Sequence, residues 1–435
     1  MRSAFLNISA LLIAVAGLNM GLGLQATLLG VRAGIEGFPV LMIGVIMATY
    51  YVGYVGGSIV CPRFIANVGH IRTFAAFASM GSVAVLAHGY FVNPWMWVLF
   101  RGITGVCFAG MVMVAESWLN RNARTSVRGS VLATYMVVTL GSTALGQFLL
   151  NVSEPGGTAL FVLVSAVISL SLVPVALSTT PAPPLAPIRP MGVGRLFRAS
   201  PVGAVGCFTS GLLNGALWSL TSVYALGSGL GAGAISILIA TIVFGGMVMQ
   251  WPAGWLSDKV DRRKVLVGLL IAVTVIAVAV IVITGQFRNE VTVTAPWMLF
   301  VLTGLFGASV LPVYGVAVAH ANDNLQADQF VAACSTLMLC YGTGAVVGPL
   351  VGATTMQIAG PLGLFGYFAT IAVISTGFIA YRISVKAPVL DEDKEAFVAV
   401  PRTSPVVFGL DPRNEMTPHM DEPEIFPPGE NGNTG

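Results

Sequence analysis

Apolar stretches long enough to cross a lipid bilayer recur twelve times along this 435-residue chain. A membrane-spanning helix needs about 20 mostly apolar residues. The stretches cover residues 6–30, 39–61, 73–92, 95–118, 129–150, 158–178, 201–225, 233–256, 265–285, 295–319, 329–352 and 361–382. Only 9% of the residues are charged, which leaves too little polar surface for a soluble protein of this length. Because no strand-like alternation competes, the sequence predicts an all-α membrane protein with 12 transmembrane helices.

Lysine and arginine residues are distributed unevenly between the two sides of these spans. With the N-terminus in the cytoplasm, the cytoplasmic loops hold nearly all of them, and Arg32 and Arg288 fall on the opposite side. Cytoplasmic loops of membrane proteins carry an excess of Lys and Arg, so both termini are predicted to be cytoplasmic. The first apolar stretch exceeds a signal-peptide core and ends in no Ala-x-Ala site, so we interpret it as a span.

An internal repeat divides the spans into two sets of six. The tripeptide Pro-Trp-Met at 94–96 recurs at 296–298, an offset of 202. The same offset pairs Gly102 with Gly304, Gly105 with Gly307, Asn120 with Asn322 and Gly146 with Gly348. Asn19 in the first span and Asn214 in the seventh pair at an offset of 195. Two parallel, pseudo-symmetric six-helix bundles are therefore expected, with a binding site between them near the bilayer midplane.

Two polar regions complete the predicted domain organisation. Residues 179–200 are rich in proline and predict a cytoplasmic linker between an N-terminal bundle, 1–178, and a C-terminal bundle, 201–382. Residues 383–435 carry ten acids against four bases, which predicts a disordered acidic cytoplasmic tail. The simpler interpretation of this tail is a solvated extension, and the alternative is a segment that binds a partner.

A charged loop, Gly254–Lys264, lies between two strongly apolar spans and reads Gly-Trp-Leu-Ser-Asp-Lys-Val-Asp-Arg-Arg-Lys. Charges at a bilayer centre cost roughly 2.5–3.5 kcal/mol each, so these residues must lie in water between spans eight and nine. The loop resembles the signature of the major facilitator superfamily, Gly-x-Leu-x-Asp-(Arg/Lys)-x-Gly-(Arg/Lys)-(Arg/Lys). Asp261 departs from it, because the family usually has Gly there.

Three further stretches resemble the YcaD-type branch of that family. They are Gln-Trp-Pro-Ala-Gly at 250–254, Ala-Glu-Ser-Trp-Leu-Asn at 115–120 and Gly-His-Ile-Arg at 69–72. The resemblance covers residues 1–385. It implies a secondary transporter of a small organic solute in a bacterial inner membrane, working by alternating access and coupled to protons. The alternative is a receptor or sensor that keeps the fold without transporting.

Residues of the charged loop are predicted to form a cytoplasmic gate. Asp258 follows span eight, where it could approach the positive N-terminal end of span five and pair with Arg128. Such a pair is worth about 1 kcal/mol, enough to bias two states without freezing either. Gly254, Arg262 and Arg263 belong to the same predicted gate. Ordinary positive-inside charge would explain the bases but not the acids.

The equivalent loop of the first half lacks its acid, because Ala66 stands at that position. Acids occur instead across from it, as Asp323 and Asp328 before span eleven. Arg63 or Arg72 could reach Asp328, which would swap the polarity of the gate in this half. Alternatively, Asp328 only complements the first turn of its own helix.

Two charged residues fall within span four. Arg101 lies roughly 9 Å into the span, and an intramembrane arginine must face the bundle interior or water. It matches the arginine that the family resemblance links to proton coupling. Glu116 lies about 22 Å further along the helix, too far away to pair with Arg101. It is a candidate proton acceptor, or else a charge that anchors the helix end near Arg121.

Polar side chains of the first and seventh spans are the candidate substrate contacts. They are Asn19, Gln25, Asn214 and Trp218. Each of them could equally form a hydrogen bond between helices. No phosphate-binding loop, metal-ligand spacing or catalytic constellation occurs, so the sequence predicts neither an enzyme nor a cofactor. The expected partners are a small-molecule substrate, protons and the lipid bilayer, with no nucleic acid.

Overall fold

The computed structural model describes the chain except for residues 1, 123–127, 178–190, 287–295, 326–328, 388, 390–393, 395 and 411–435. Helices dominate the described residues. They are α1 Arg2–Ile35, α2 Val40–Val68, α3 His70–Tyr90, α4 Pro94–Asn122, α5 Arg128–Phe148, α6 Ala159–Ala176, α7 Val193–Ala199, α8 Pro201–Gly227, α9 Ala232–Lys259, α10 Arg262–Gln286, α11 Pro296–Val310, α12 Val313–Asn322, α13 Phe330–Ala359 and α14 Gly363–Val385. Asp328, a predicted gate residue, lies outside the described residues.

All twelve predicted spans have a counterpart in these helices. Eleven of them are long and apolar enough to cross a membrane on their own. The twelfth is α8, which meets the same criterion together with α7 across a 117° bend. Nearly the whole length of α8 is buried among other helices, so few of its residues face lipid. The tenth span, predicted as one helix over 295–319, breaks into α11 and α12 at Pro312, whose ring and missing N–H disrupt a helix interior.

Glycines bring helix backbones into close contact at equivalent places in both halves. A methyl group on any of them would collide with the backbone of the facing helix. The contacts are Gly53 with Gly102 and Gly105 with Tyr50 in the first half, and Gly245 with Gly304 and Gly307 with Ile242 in the second. The helix pair α2–α4 is thus repeated as α9–α11, which confirms the two pseudo-symmetric bundles.

The same packing corrects the predicted equivalence of two asparagines. Gly146 lies against the backbone of Met20, and its counterpart Gly348 lies against that of Leu212. The first helices of the two halves, α1 and α8, are therefore related by an offset of 192 residues. The offset of 195 that pairs Asn19 with Asn214 differs from this by three residues. These two side chains do not occupy equivalent positions.

The two halves meet tightly at the end of the molecule remote from the charged loop. There Gly30 packs on Ser222, and Gly44 packs on Ala353. Asn151 after α5 also donates a hydrogen bond to Ser236 of α9 over 3.2 Å. The opposite end carries the α2–α3 and α9–α10 loops and is called the basic side below. Between the halves a cavity reaches towards the basic side.

Residues 396–410, here called the tail segment, fold back from α14 and pack between the halves at the basic side. Val407, Phe408 and Leu410 in this segment are fully buried, and Pro405–Leu410 forms a 3-10 helix. This placement differs from the predicted solvated tail. The physical reason is composition, because residues 396–410 contain no acid and the acids of the tail lie on both sides of them.

Candidate substrate cavity

A cavity of about 710 Å³ lies between the halves. Its wall runs from Asn19 and Trp218 on the central helices α1 and α8 to Arg63 near the basic-side end of α2. The volume is typical of pockets that enclose a small organic molecule. Helix contacts close the far side, and the tail segment lines the cavity at the basic side.

Arg101 of α4 lines the cavity, as its position inside the span predicted. Its side chain is buried, with the guanidinium carbon 4.3 Å from the centroid of the Tyr50 ring. Neither Nε nor Nη1 has a hydrogen-bond partner among the described residues. A buried cation is costly unless it is paired and hydrogen-bonded, and a cation–π contact of about 1–2 kcal/mol offsets only part of that cost. The ion pairs of the described residues do not include Arg101, so its positive charge stays without a paired acid in the cavity wall.

Tyrosines form much of the remaining wall, and the sequence analysis missed them. Tyr50, Tyr51 and Tyr54 belong to α2, with ring centroids 5.3 Å and 5.8 Å from Tyr50 to the other two. Tyr314 and Tyr341 line the cavity from the second half, 5.3 Å apart. The sequence did hold a signal for this wall. Three tyrosines occur among the five residues 50–54 of an apolar span, which places aromatic rings and hydroxyl groups on neighbouring faces of one helix.

Two of the four predicted substrate contacts line the cavity, and two do not. Asn19 lines it while its amide donates to the Val15 carbonyl oxygen over 2.9 Å, and Trp218 lines it from α8. Asn214 is fully buried and donates to the Ser210 carbonyl oxygen one turn earlier over 2.8 Å. Gln25 is also fully buried. Helix packing encloses both residues, so neither lines the cavity in this structure, and their role as substrate contacts stays a prediction.

Glu116 lies near the basic-side end of α4 and is fully buried. Its Oε1 accepts a hydrogen bond of 2.6 Å from the Tyr135 hydroxyl of α5. The hydroxyls of Thr403 and Ser404 in the tail segment donate to the same carboxylate. None of the ion pairs in the described part of the chain includes Glu116. Both interpretations of Glu116, a proton acceptor and a charge that anchors the helix end near Arg121, stay predictions.

The charged loop is held together by a buried ion pair. Arg262 at the start of α10 contacts Asp323 after α12 with 2.7 Å between Nε and Oδ2, and both side chains are at most 2% exposed. Its Nη1 also donates to the Ser257 hydroxyl and to Asp258, each over 3.0 Å. Arg262 thus ties three segments of the second half together. Asp323 was predicted to face the first half, but in the structure it pairs with Arg262 of the second half.

Asp258 makes different contacts from those predicted. It pairs with Arg262 over 3.0 Å and accepts a hydrogen bond of 2.9 Å from the backbone N–H of Phe397 in the tail segment. The Phe397 ring lies against Gly254. Arg128 is the buried first residue of α5, and the ion pairs of the described residues do not join it to Asp258. The Asp258–Arg128 clamp therefore remains a prediction for a state with a closed basic side.

Asp261, which replaces the glycine usual in the family signature, caps helix α10. Its Oδ1 accepts the backbone N–H of Arg263 over 3.0 Å, as N-cap carboxylates do. The Arg263 side chain pairs with the same carboxylate over 2.7 Å and donates to the Lys386 carbonyl oxygen over 2.8 Å. Burial favours a higher pKa, but the hydrogen bonds from Arg263 outweigh it and hold the Asp261 pKa below its usual value.

The corresponding loop of the first half is held without charge. The His70 Nε2 atom lies 3.0 Å from the Ser117 hydroxyl, and the His70 ring stacks on Trp118. Arg63 and Arg72 are both exposed to solvent. The polarity-swapped gate that would join them to Asp328 stays a prediction.

Family comparisons agree with this architecture. The model of the Major Facilitator Superfamily matches residues 4–327 and 203–410. A protein of Yersinia pestis described as an uncharacterized MFS-type transporter is 28% identical over 342 residues, covering 77% of this chain and 85% of that protein. The MFS-type transporter YcaD of Escherichia fergusonii is 27% identical over 375 residues, covering 86% of this chain and 94% of that protein.

Solved structures of two transporters share the fold. The nucleoside transporter NupG superimposes with a TM-score of 0.68 at 12% identity, covering 87% of this chain and 98% of that protein. A bacterial homologue of the human lysosomal transporter Spinster was solved in an inward-facing and occupied conformation. It superimposes with a TM-score of 0.66 at 15% identity, covering 88% of this chain and 97% of that protein. At these identities the likeness concerns the fold alone.

Proposed function

This chain belongs to the Major Facilitator Superfamily, and we propose that it is a secondary transporter that moves a small organic anion across a bacterial inner membrane by alternating access. The observation that carries the proposal is the buried guanidinium of Arg101 in the cavity between the halves. It narrows the substrate from the small organic solute that the sequence predicts to one that bears a negative charge.

The charges of the cavity wall support an anion. Three arginines, Arg63, Arg101 and Arg402, line the cavity, whereas none of its described lining residues is Asp or Glu. An anion would supply the counter-charge that Arg101 lacks, and guanidinium groups bind carboxylate and phosphate through paired hydrogen bonds. The tyrosine rings provide apolar area for the rest of the molecule. A permanently cationic substrate would meet repulsion and no compensating acid.

The direction of the opening supports an inward-facing state. The basic side carries the arginine-rich loops that the positive-inside rule places in the cytoplasm, together with the linker and the tail. The far side is sealed where α1 meets α8 and α2 meets α13. Rocking the two halves about the cavity would open the far side, as in other transporters built from two repeats.

Glu116 is the residue that we assign to proton coupling. Ionisable side chains inside membrane spans commonly mark proton relays. Its carboxyl group lies near the basic side and contacts hydroxyl groups rather than a cation. A proton on this carboxyl could therefore be exchanged with the cytoplasm when the basic side is open.

A binding screen followed by a flux measurement tests the function. Purified protein is heated with organic carboxylates, organic phosphates and their uncharged amide or alcohol analogues. A ligand at 100 times its Kd stabilises by about 2.7 kcal/mol, which raises the melting temperature measurably. We expect anions to stabilise the protein and their neutral analogues to fail, and the selected anion to enter proteoliposomes. Equal stabilisation by neutral analogues would refute the anion, and binding without flux would favour the sensor.

A further inference from the structure

The tail segment contacts the first half through the groups around Glu116. Thr403 and Ser404 donate to the Glu116 carboxylate, and the Tyr54 hydroxyl donates to the Thr403 carbonyl oxygen over 2.8 Å. Gly409 lies directly against the Asn120 side chain. These contacts cover the coupling carboxyl from the basic side.

The same segment contacts the second half over three of its helices. The Phe397 N–H donates to Asp258 at the end of α9, and the Phe397 ring packs on Gly315 of α12. Arg402 lies 5.6 Å from the centroid of the Tyr341 ring on α13. At the far end of the segment, Phe408 meets Phe330 edge to face at 6.3 Å. One stretch of chain therefore bridges both halves at the side where the cavity opens.

We propose that the tail segment is a built-in inhibitor that plugs the cytoplasmic mouth of the cavity and holds the two halves apart. The tail segment, residues 396–410, binds between the two halves at the basic-side mouth of the cavity. This inference goes beyond the transport function and does not depend on which anion is carried.

Two consequences follow from the position of the plug. First, residues 400–403, 405 and 406 line the cavity at the basic side, where a plug would obstruct the path of solute to the cytoplasm. Second, closing the basic side requires the ends of α4 and α9 to approach, and the segment lies between their side chains at Glu116 and Asp258. Release of the segment must therefore precede both solute exchange and the change of state.

The flanking sequence explains why the plug can also leave. Acidic residues lie on both sides of residues 396–410 in the sequence, and charged carboxylates favour water over a buried position. The apolar anchors Val407, Phe408 and Leu410 and the polar contacts described above hold the segment in place. A change that weakens these anchors or the hydroxyl contacts at Glu116 should free the whole segment.

Labelling of a cysteine in the cavity tests the plug without any substrate. Ser58 lines the cavity and is replaced by Cys in a Cys340→Ser background, because the other four native cysteines are buried. Phe408→Ala removes the buried anchor, and Tyr381→Ala is the matched control because that ring lies exposed on α14. With purified full-length protein and a bulky maleimide, we expect Phe408→Ala to speed labelling at least tenfold and Tyr381→Ala to leave it unchanged.

Two further arms make the result decisive. A synthetic peptide of sequence 396–410 should restore slow labelling when it is added to the Phe408→Ala protein. Ser404→Asp places a second carboxylate against Glu116 and should free the segment, whereas the neutral Ser404→Ala should do so more weakly. Unchanged labelling in both Phe408→Ala and Ser404→Asp would overturn the plug. Faster labelling without faster solute flux in proteoliposomes would overturn its inhibitory role.

Discussion

The two halves of this protein share their helix packing but differ in where they carry charge. Glycine contacts between α2 and α4 recur between α9 and α11 at matching positions. Arg101 and Glu116 of the first half, however, correspond to Thr303 and Val318 in the second. Conversely, Asp258 and Arg262 of the second half correspond to Ala66 and His70.

This difference separates three roles of residues in the molecule. Packing needs the same close helix contacts in each half, so small residues recur. The two buried charged residues of span four, Arg101 and Glu116, lie in the first half, and the proposed binding and proton coupling would use them. Holding the basic-side loop needs a link between helix ends, which is ionic at Arg262–Asp323 and neutral at His70–Ser117. The glycine contacts of the helix packing are thus repeated in both halves, whereas the buried charged residues are not.

The largest expected effect comes from breaking the ionic link. Asp323→Asn leaves Arg262 buried without its main counter-charge and should lower the free energy of unfolding by about 3 kcal/mol. Ser117→Ala removes the neutral link of the first half and should lower it by about 1 kcal/mol. Thermal unfolding of the purified proteins measures both. Equal losses would mean that the two loops are held equally strongly.

Substitution of the cavity arginine should affect binding more than stability. Arg101→Gln removes the charged hydrogen bonds to a bound anion, worth about 2 kcal/mol or roughly 30-fold in Kd. The counterpart Thr303→Val should leave Kd within about twofold, because Thr303 bonds to its own helix and to Thr241. Calorimetric titration with the anion selected by the thermal screen gives both values. A similar loss in Thr303→Val would place the binding site elsewhere.

The turns before α3 and α10 offer a comparison through pH. Asp261→Ala loses a helix cap and the pair with the buried Arg263 side chain, and should cost about 2 kcal/mol. Gly69, its counterpart, has φ 93° with open space around it, so Gly69→Ala should cost about 1 kcal/mol through backbone strain alone. Because the folded-state pKa of Asp261 is lowered, its contribution is present above 3.8 and is lost as the pH falls.

The cost of Asp261→Ala should therefore shrink in acid, whereas that of Gly69→Ala should not. Unfolding each variant beside the unmodified protein at neutral and acidic pH shows the difference. If both costs stay constant with pH, the Asp261 carboxylate does not cap α10 as the structure shows.

Asp258 gives the smallest effect on stability. It is 36% exposed, so the loss of its pair with Arg262 in Asp258→Asn should cost less than about 1 kcal/mol. The substitution also weakens the acceptor for Phe397 and removes the predicted clamp partner of Arg128. We expect it to alter the labelling rate of Ser58→Cys together with transport. Unchanged labelling and transport would refute any gating role for this residue.

Most of the fold followed from the sequence because its signals are strong and local. Twelve apolar runs and a fixed offset between glycines predict two bundles of six helices. The position of Arg101 in the cavity wall was predictable for the same reason, because a charged side chain within an apolar span must face the bundle interior or water. The break at Pro312 was missed because the residues on both sides of it remain apolar.

Contacts between distant segments could not be predicted in this way. Asp258 contacts Arg262 and the tail segment in the structure, and the sequence does not say which of several possible partners this side chain meets. The buried position of the tail segment was missed because the ten acids of residues 383–435 concealed a mostly apolar run without acids inside them. Asn19 and Gln25 are similar polar residues of one helix, and packing alone decides that only Asn19 reaches the cavity.

Transport into proteoliposomes by Glu116→Gln tests most directly the claim that the first half carries the coupling chemistry. The selected anion is supplied either with an imposed pH gradient or as labelled anion exchanging against unlabelled anion. We predict that Glu116→Gln loses accumulation driven by the gradient and keeps exchange, while Val318→Ala, at the equivalent position of the second half, keeps both. Full gradient-driven accumulation by Glu116→Gln would contradict the account.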